Sequence, residues 1–278
     1  MASLPFPVEA RAVTEPGRLV ATVHELLAER PDLLVIGGGD GTMSCLVDEL
    51  VGAKAMLGVL PFGTANSFAR TLGIPLDLEG AVEVLRTGRP RRIDLGMIDG
   101  DYFANCAAIG LSPLIADSIP HGLKRYAGRV GYLSWATLQF ARFKPFVLVI
   151  EGEDGETRVD ALEVRIANGP YHGGTWLVDE ASLDSGKIVI QVVEGRQRRR
   201  LLHNWVAGIL GSARRRQDTV VFEGECIRFR TEPPLPISID GEVLAHSPAT
   251  AKIAHGVIEV MAPVQAPQGV GSAATSVS

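Results

Sequence analysis

Up to residue 91, hydrophobic positions alternate between short continuous runs and stripes at helical spacing. Val8 to Val13 reads as a first strand, ending at Thr14-Glu15-Pro16-Gly17. Leu19, Val20, Val23, Leu26 and Leu27 lie along one helical face, and Pro31 stops that helix. Leu33-Leu34-Val35-Ile36 is a buried-strand run broken by Gly37, Gly38 and Gly39, after which Met43, Leu46, Val47 and Leu50 mark a second helix. Leu57 to Leu60 reads as a third strand, and Pro61 to Arg70 as a loop entering a helix. Alternation of this kind predicts a parallel sheet with helices on its faces, with ligands at the carboxyl ends of the strands.

Beyond residue 91 the pattern shortens. Ile93 to Met97, Tyr102 to Ala108, Phe146 to Glu151, Val159 to Ala167, Ile188 to Val193, Cys226 to Thr231, Ile237 to Ile239 and Val257 to Met261 read as strands between turn residues. Only 123–142 and 198–213 read as helices. The expected fold is therefore α/β plus all-β. A Rossmann-like parallel-sheet domain over 1–91 precedes an antiparallel β-sandwich-like domain over 92–264, with a small, polar, disordered tail over 265–278.

Length and composition agree with two modest globular domains: 278 residues, 46% hydrophobic and 21% charged. A net charge of −5 argues against general nucleic-acid binding. Cys45, Cys106 and Cys226 are widely spaced and odd in number, which points to reduced thiols in a cytoplasmic setting. Met1 to Glu9 has neither the basic nor the apolar region of a signal peptide, and no uncharged apolar run approaches a membrane span. The histidines show no metal-ligand spacing, and none is read as catalytic.

The chemistry is concentrated in Gly37-Gly38-Gly39-Asp40-Gly41-Thr42. A glycine loop opening onto a helix N-terminus favours an anion, because backbone N–H groups and the helix dipole both point at it. A dinucleotide fingerprint would need glycine at Thr42 or Ser44, and a P-loop would need a lysine, of which there is none between Ile36 and Val51. What remains is a phosphate cradle with a carboxylate inside it. Asp40 either makes the turn and caps the helix or serves a cation or a hydroxyl proton.

With Pro61-x-Gly63-Thr64-x-Asn66 and Asp240-Gly241-Glu242 downstream, the chain from Thr14 to Pro263 resembles the diacylglycerol kinase catalytic-domain family of lipid kinases, sphingosine and ceramide kinases included. The resemblance implies ATP and Mg2+ as cofactors, a lipid alcohol as acceptor, and an active site in the cleft between domains. It implies nucleotide contacts from Gly37 to Thr42, from Gly63, Thr64 and Asn66, and from a threonine near Thr14. Phosphoryl transfer needs a cradle, a divalent cation and a proton acceptor. Thr42 and Thr64 supply hydroxyls to the phosphates. Asp240 and Glu242, two apart, would share a face if their strand continued, one holding the cation and the other acting as base, with Asp40 the rival base. Asp94 resembles a family aspartate that orients water around the catalytic cation. Ser182-Leu183-Asp184-Ser185-Gly186-Lys187 resembles a loop in which an aspartate, here Ser185, holds a structural magnesium with nearby carbonyls. A serine is a poor anchor for that ion, so this site is expected to be weak or lost. Asn168-Gly169-x-Tyr171-x-Gly173-Gly174 matches a further family loop, read as serving the backbone.

Relatives usually begin with an additional strand, an Asn-Pro-x-Ser-Gly loop and a helix, so the sheet is expected to lack its usual first strand. Two other readings stay open: a NAD kinase-like small-molecule kinase, and a catalytically impaired lipid- or nucleotide-binding protein. Seven arginines and no acid lie between Gly195 and Gln217, around a stripe of Leu201, Leu202, Trp205, Val206, Ile209 and Leu210. Such a helix suits transient contact with an anionic membrane, placing the protein at the inner membrane surface from the cytoplasmic side. A homodimer is left open.

Overall fold

The computed structural model describes residues 8–111, 138–152, 155–197, 199–201 and 219–264, together with Leu114 and Trp135. The N-terminal part contains α1 (Leu19–Ala28), β1 (Leu33–Gly38), α2 (Asp40–Leu50), β2 (Met56–Pro61), α3 (Ser67–Leu72) and α4 (Leu78–Thr87). Strands then dominate: β3 (Arg89–Ile98), β4 (Asp101–Phe103), β5 (Cys106–Gly110), β6 (Phe146–Gly152), β7 (Gly155–Ala167), β8 (Tyr171–His172), β9 (Thr175–Trp176) and β10 (Ile188–Glu194). They continue with β11 (Thr219–Gly224), β12 (Cys226–Glu232), β13 (Pro236–Ile239), β14 (Glu242–His246) and β15 (Ala249–Ala262).

The helical stripes bury the faces that their spacing demands. Met43, Leu46, Val47 and Leu50 of α2 are buried with Leu34, Ile36, Leu57 and Val59 of the parallel pair β1–β2. The second core lies in the β-rich part, where Ile109, Leu148, Val164, Ile166, Ile190 and Val192 are fully covered. One strand joins the two. Ala249 and Ala251 of β15 sit in the second core and Ile258, Val260 and Ala262 in the first. Accordingly β15 pairs antiparallel with β12 and β3 and parallel with β2, so the sheet runs on from β1 to β14.

Four local expectations change. Residues 8–14 form no strand; Arg11 instead pairs with Glu25 and Glu29 on and beside α1, so the segment is held by charge rather than by a ladder. The expected strand Tyr102 to Ala108 is broken into β4 and β5 at Ala104-Asn105. The strand read over Ile237 to Ile239 does not continue through Asp240 to Glu242, the condition for the two carboxylates to share a face, but turns back there. Asp240 (φ 45°) and Gly241 (φ 102°) are both left-handed, and Ile239 pairs with Glu242, the pattern of a two-residue hairpin turn. Helix α4 was not expected, although Asp77 caps it by accepting from Gly80 N at 2.7 Å, and Ala81, Val84 and Leu85 form its buried face. Of the two helices expected in the β-rich part, residues 138–142 and 199–201 are helical; the other residues of those segments, apart from Trp135, lie outside the described residues, as does the tail from 265.

Candidate active site

The two glycine loops touch backbone to backbone. A Cβ on Gly63 would lie 2.5 Å from the Cα of Gly39, and one on Gly39 would lie 2.9 Å from the Cα of Gly63. No side chain fits between them. At Gly38 a Cβ would fall 2.5 Å from the side chain of Thr42, whereas Gly41 faces open space. The carbonyl of Gly39 accepts from Thr42 N and Met43 N at 3.0 and 3.1 Å, which starts α2. Asn66, buried and left-handed at φ 50°, closes the second loop: Gly63 N donates to its Oδ1 at 2.8 Å and its Nδ2 donates to Gly63 O at 2.7 Å. Asn66 therefore spends its amide inside the loop, and Thr64 is exposed at the tip. This surface of bare backbone above a helix N-terminus fits a nucleotide phosphate.

Asp40 is the first residue of α2, and its Oδ1 accepts from Phe68 N at 3.2 Å. It caps the neighbouring helix α3 rather than its own, which ties the two loops at their helical ends.

Asp240 reaches the same place from the opposite side. At the β13–β14 turn its carboxylate accepts from Ala104 N at 3.1 Å and Cys106 N at 3.2 Å, inside the break between β4 and β5. Asp240 N donates in return to Cys106 O at 3.2 Å. Loss of water raises its pKa from the ordinary carboxylate range to about 6; the backbone donors of Cys106, Ala104 and Asn105 oppose that shift, and the charge of Asp40 adds to it. The same turn leaves Glu242 exposed on β14, so the two carboxylates do not share a face. Burial pushes the neighbouring Cys106 thiol up to about 12, too high for a nucleophile.

The 168–174 segment forms the third wall. Asn168 donates from Nδ2 to Asp94 O at 2.9 Å and Ala104 O at 3.1 Å, while its own Oδ1 and that of Asn105 are buried without a partner among the described residues. Gly174 N donates to Ser67 Oγ at 2.9 Å, docking the segment on α3. Between them lies His172, whose imidazole is within electrostatic reach of Glu163, Arg165 and Asp40. Burial holds its pKa below the ordinary histidine value, so the ring is neutral at neutral pH. Behind it, Arg165 is 1% exposed and donates to both oxygens of Glu163 and to Gln191 Oε1. Sequence reasoning missed His172, Asn105 and the Glu163–Arg165–Gln191 group. The glycines around His172 were its signal.

Asp94 is committed elsewhere. Its two carboxylate oxygens accept from Gly256 N at 2.8 Å and Gly186 N at 3.1 Å, clipping the bulge of β15 and the 182–187 loop onto β3. In that loop the Ser185 hydroxyl lies 2.9 Å from Ser182 O and 3.2 Å from Lys187 O, while Asp184 pairs with Arg91. Ser185 thus ties together the carbonyls a magnesium ion would need, and the donor set does not fit that ion. Thr14 is exposed ahead of α1, and no bond among the described residues ties it to the glycine loops.

Comparison with known proteins places the chain. A profile described as the diacylglycerol kinase catalytic domain matches residues 1–98, and one described as the YegS C-terminal NAD kinase beta sandwich-like domain matches residues 108–262. A probable lipid kinase YegS-like of Pseudomonas syringae pv. tomato is 30% identical over 94% of this chain and 86% of its own. One of the same name from Klebsiella pneumoniae is 34% identical over 68% of this chain, and the match spans 65% of the relative. A diacylglycerol kinase of Staphylococcus aureus is 27% identical over 93% of this chain and 83% of its own. In fold, the chain matches the crystal structure of a putative diacylglycerol kinase from Bacillus anthracis with a TM-score of 0.73 at 23% identity, covering 91% of this chain and 83% of that one. With its glycine loops and β-rich partner matched in order along almost the whole sequence, the chain belongs to the YegS-like and diacylglycerol kinase family of lipid kinases.

Proposed function

We propose that the protein transfers the γ-phosphoryl group of ATP to the hydroxyl of a lipid such as diacylglycerol. The observation that carries this reading is the convergence of Asp40 and Asp240 beside the bare backbone of the two glycine loops. The first turn of α2 receives the phosphates. The acceptor hydroxyl comes to the side of Asp240, whose environment keeps its affinity for a proton high enough to take one near neutral pH. Glu242, exposed to water, lacks that environment.

Magnesium fits this site through Asp40. The ion usually takes one or two carboxylates plus substrate phosphates, and no group of three or more His, Cys, Asp or Glu side chains suited to a metal occurs among the described residues. Bound there, it would neutralise charge on the transferring phosphates. No helix among the described residues is long and apolar enough to cross a membrane, and a two-chain lipid stays in its bilayer, so the reading includes contact with an anionic membrane surface. The arginine-flanked segment invoked for that contact lies mostly outside the described residues.

The test is transfer of label from radiolabelled ATP to lipid vesicles containing diacylglycerol, ceramide, a sphingoid base or a polyprenol, with and without magnesium. Magnesium-dependent label in one extracted lipid is expected. ATP binding with no labelled lipid under any condition would reject the reading.

A further inference from the structure

His172 is a titratable group near Asp40 that the proposed reaction leaves unused. It ends the short strand β8, which pairs with β9 through Tyr171–Trp176 and His172–Thr175, so its backbone is fixed on both sides. Tyr171 and Trp176 pack edge to face with ring centroids 5.1 Å apart. Gly174 then docks on α3 through Ser67 Oγ, and a Cβ there would lie 3.1 Å from Ala65 O. The hairpin is therefore held against the glycine loops, and the half-buried imidazole is carried with it. Among the described residues the ring has no hydrogen-bond or ion-pair partner.

The groups around the ring select what it can bind. Asp40 faces it from α2, and Glu163 and Arg165 face it from β7. The guanidinium of Arg165 is already bonded to Glu163 and Gln191. With Glu163 neutralised by Arg165 and the phosphates assigned to the first turn of α2, the ring is left to a neutral polar group of the acceptor. A neutral imidazole offers one N–H donor and one nitrogen acceptor. Acylglycerols present a matching pair, a hydroxyl that donates and an ester carbonyl that accepts. A polyprenol has the hydroxyl alone.

We propose that His172 is an acceptor-binding residue, whose imidazole hydrogen-bonds the head of the lipid alcohol beside Asp40 and favours alcohols carrying a second polar group near the hydroxyl. The buried Glu163–Arg165–Gln191 group stands behind the ring as its support. This inference rests on the lipid-kinase reading for the identity of the ligand, but binding can be observed without turnover.

The experiment follows the ring nitrogens of His172 by nuclear magnetic resonance in the full chain, with the signal assigned by its loss in His172→Asn. Dioctanoylglycerol should shift that signal, and a non-hydrolysable ATP analogue alone should not. In the kinase assay His172→Ala should raise the lipid KM roughly tenfold, the scale of one lost hydrogen bond, and leave the ATP KM unchanged, with His172→Asn recovering part of the loss. A signal unmoved by dioctanoylglycerol, or moved only by the nucleotide analogue, overturns the inference. If the signal moves with lipid but wild-type protein labels no lipid, the inference stands and the kinase reading falls. If transfer proceeds with an unchanged lipid KM in His172→Ala, the kinase reading stands and the inference falls.

Discussion

On the glycine-loop side the second loop closes on itself within a few residues, and its tie to the first spans 28, whereas the β-rich side is assembled from far more distant parts of the chain: Gly63 and Asn66 are three residues apart, Ala104 and Asp240 136 apart. The first side places no side chain where the loops meet. It presents backbone N–H groups at a helix end, which attract an anion without burying any charge. The second side inserts a carboxylate into a broken strand, and the backbone donors of Cys106, Ala104 and Asn105 do not offset the water it loses. Binding determinants thus come from local geometry, and the energetically costly group comes from tertiary packing. That division is what an enzyme of this kind needs, since charge held away from water acts more strongly on a reacting group than charge in solvent.

Asp40 stands on the boundary between the two sides, and its substitution should give the largest effect. Asp40→Asn keeps an oxygen for Phe68 N, so the link between α2 and α3 survives while the charge is lost. Phosphoryl transfer should fall by about two orders of magnitude or more, as for loss of other preorganised electrostatic groups, with the melting temperature nearly unchanged. Initial rates with radiolabelled ATP and lipid vesicles measure it. Near-normal turnover would reduce Asp40 to a cap for α3 and leave the two sides chemically unconnected.

What could be read from the sequence divides in the same way. The loops 37–42 and 61–66 were legible because glycine is demanded locally: Gly39 and Gly63 approach too closely for any Cβ. The parallel order of β1 and β2, and the buried face of α2, followed from hydrophobic spacing alone. The break at Ala104-Asn105 was not legible. Apart from Asn105, hydrophobic residues run through it from Tyr102 to Ala108, and its cause, the Asp240 carboxylate, lies at a turn far along the chain. Asp240 and Glu242 pair only on the condition that their strand continues; instead a turn separates Glu242 from Asp240 and brings the Asp240 carboxylate to Ala104 N and Cys106 N. Asp94 reads as a cation-site residue from its resemblance to a family aspartate; its role as a clip was not legible, because Gly186 and Gly256 are brought to it only by the folded sheet.

The cost of the β-rich side can be measured directly through Asp240. Its folded pKa, about 6, lies above its ordinary value of 3.8, so the folded state binds the proton more tightly than the unfolded state. The stabilisation this gives is fully present below pH 4 and is lost as pH rises from about 4 to 6. Because Asp240 is only part-buried, the loss is on the order of 1–3 kcal/mol, a few degrees of melting temperature. Other carboxylates titrate in the same window, so the readout is the difference between wild type and Asp240→Asn in metal-free buffer. That difference should move against the wild type as pH rises through the window, whatever the constant offset caused by the amide. Parallel melting curves from pH 4 to 7 would mean that Asp240 is solvated and that the contrast between the sides is only one of geometry.

The smallest effect concerns the 182–187 loop, which sharpens the comparison because it is a third way of closing a loop. Asp94 clips it to β3 from outside, but within the loop it is a serine hydroxyl that closes it, set between Ser182 O and Lys187 O and accepting from Lys187 N at 3.3 Å. One hydroxyl proton serves two carbonyls, so its net worth is about that of a single hydrogen bond, ~1 kcal/mol. Ser185→Ala should therefore lower the melting temperature by only a few degrees, and millimolar magnesium without nucleotide should leave the wild type unchanged. Ser185→Asp reverses the logic. A carboxylate beside carbonyl oxygens is repelled unless a cation lies between them, so this variant should be less stable than wild type in chelator and recover on addition of magnesium. Thermal melts of the three proteins with and without the ion decide the matter. A wild-type melting temperature that rises by several degrees with magnesium would show that the ion displaces the Ser185 hydroxyl from between the carbonyls, and that the loop closes around metal after all.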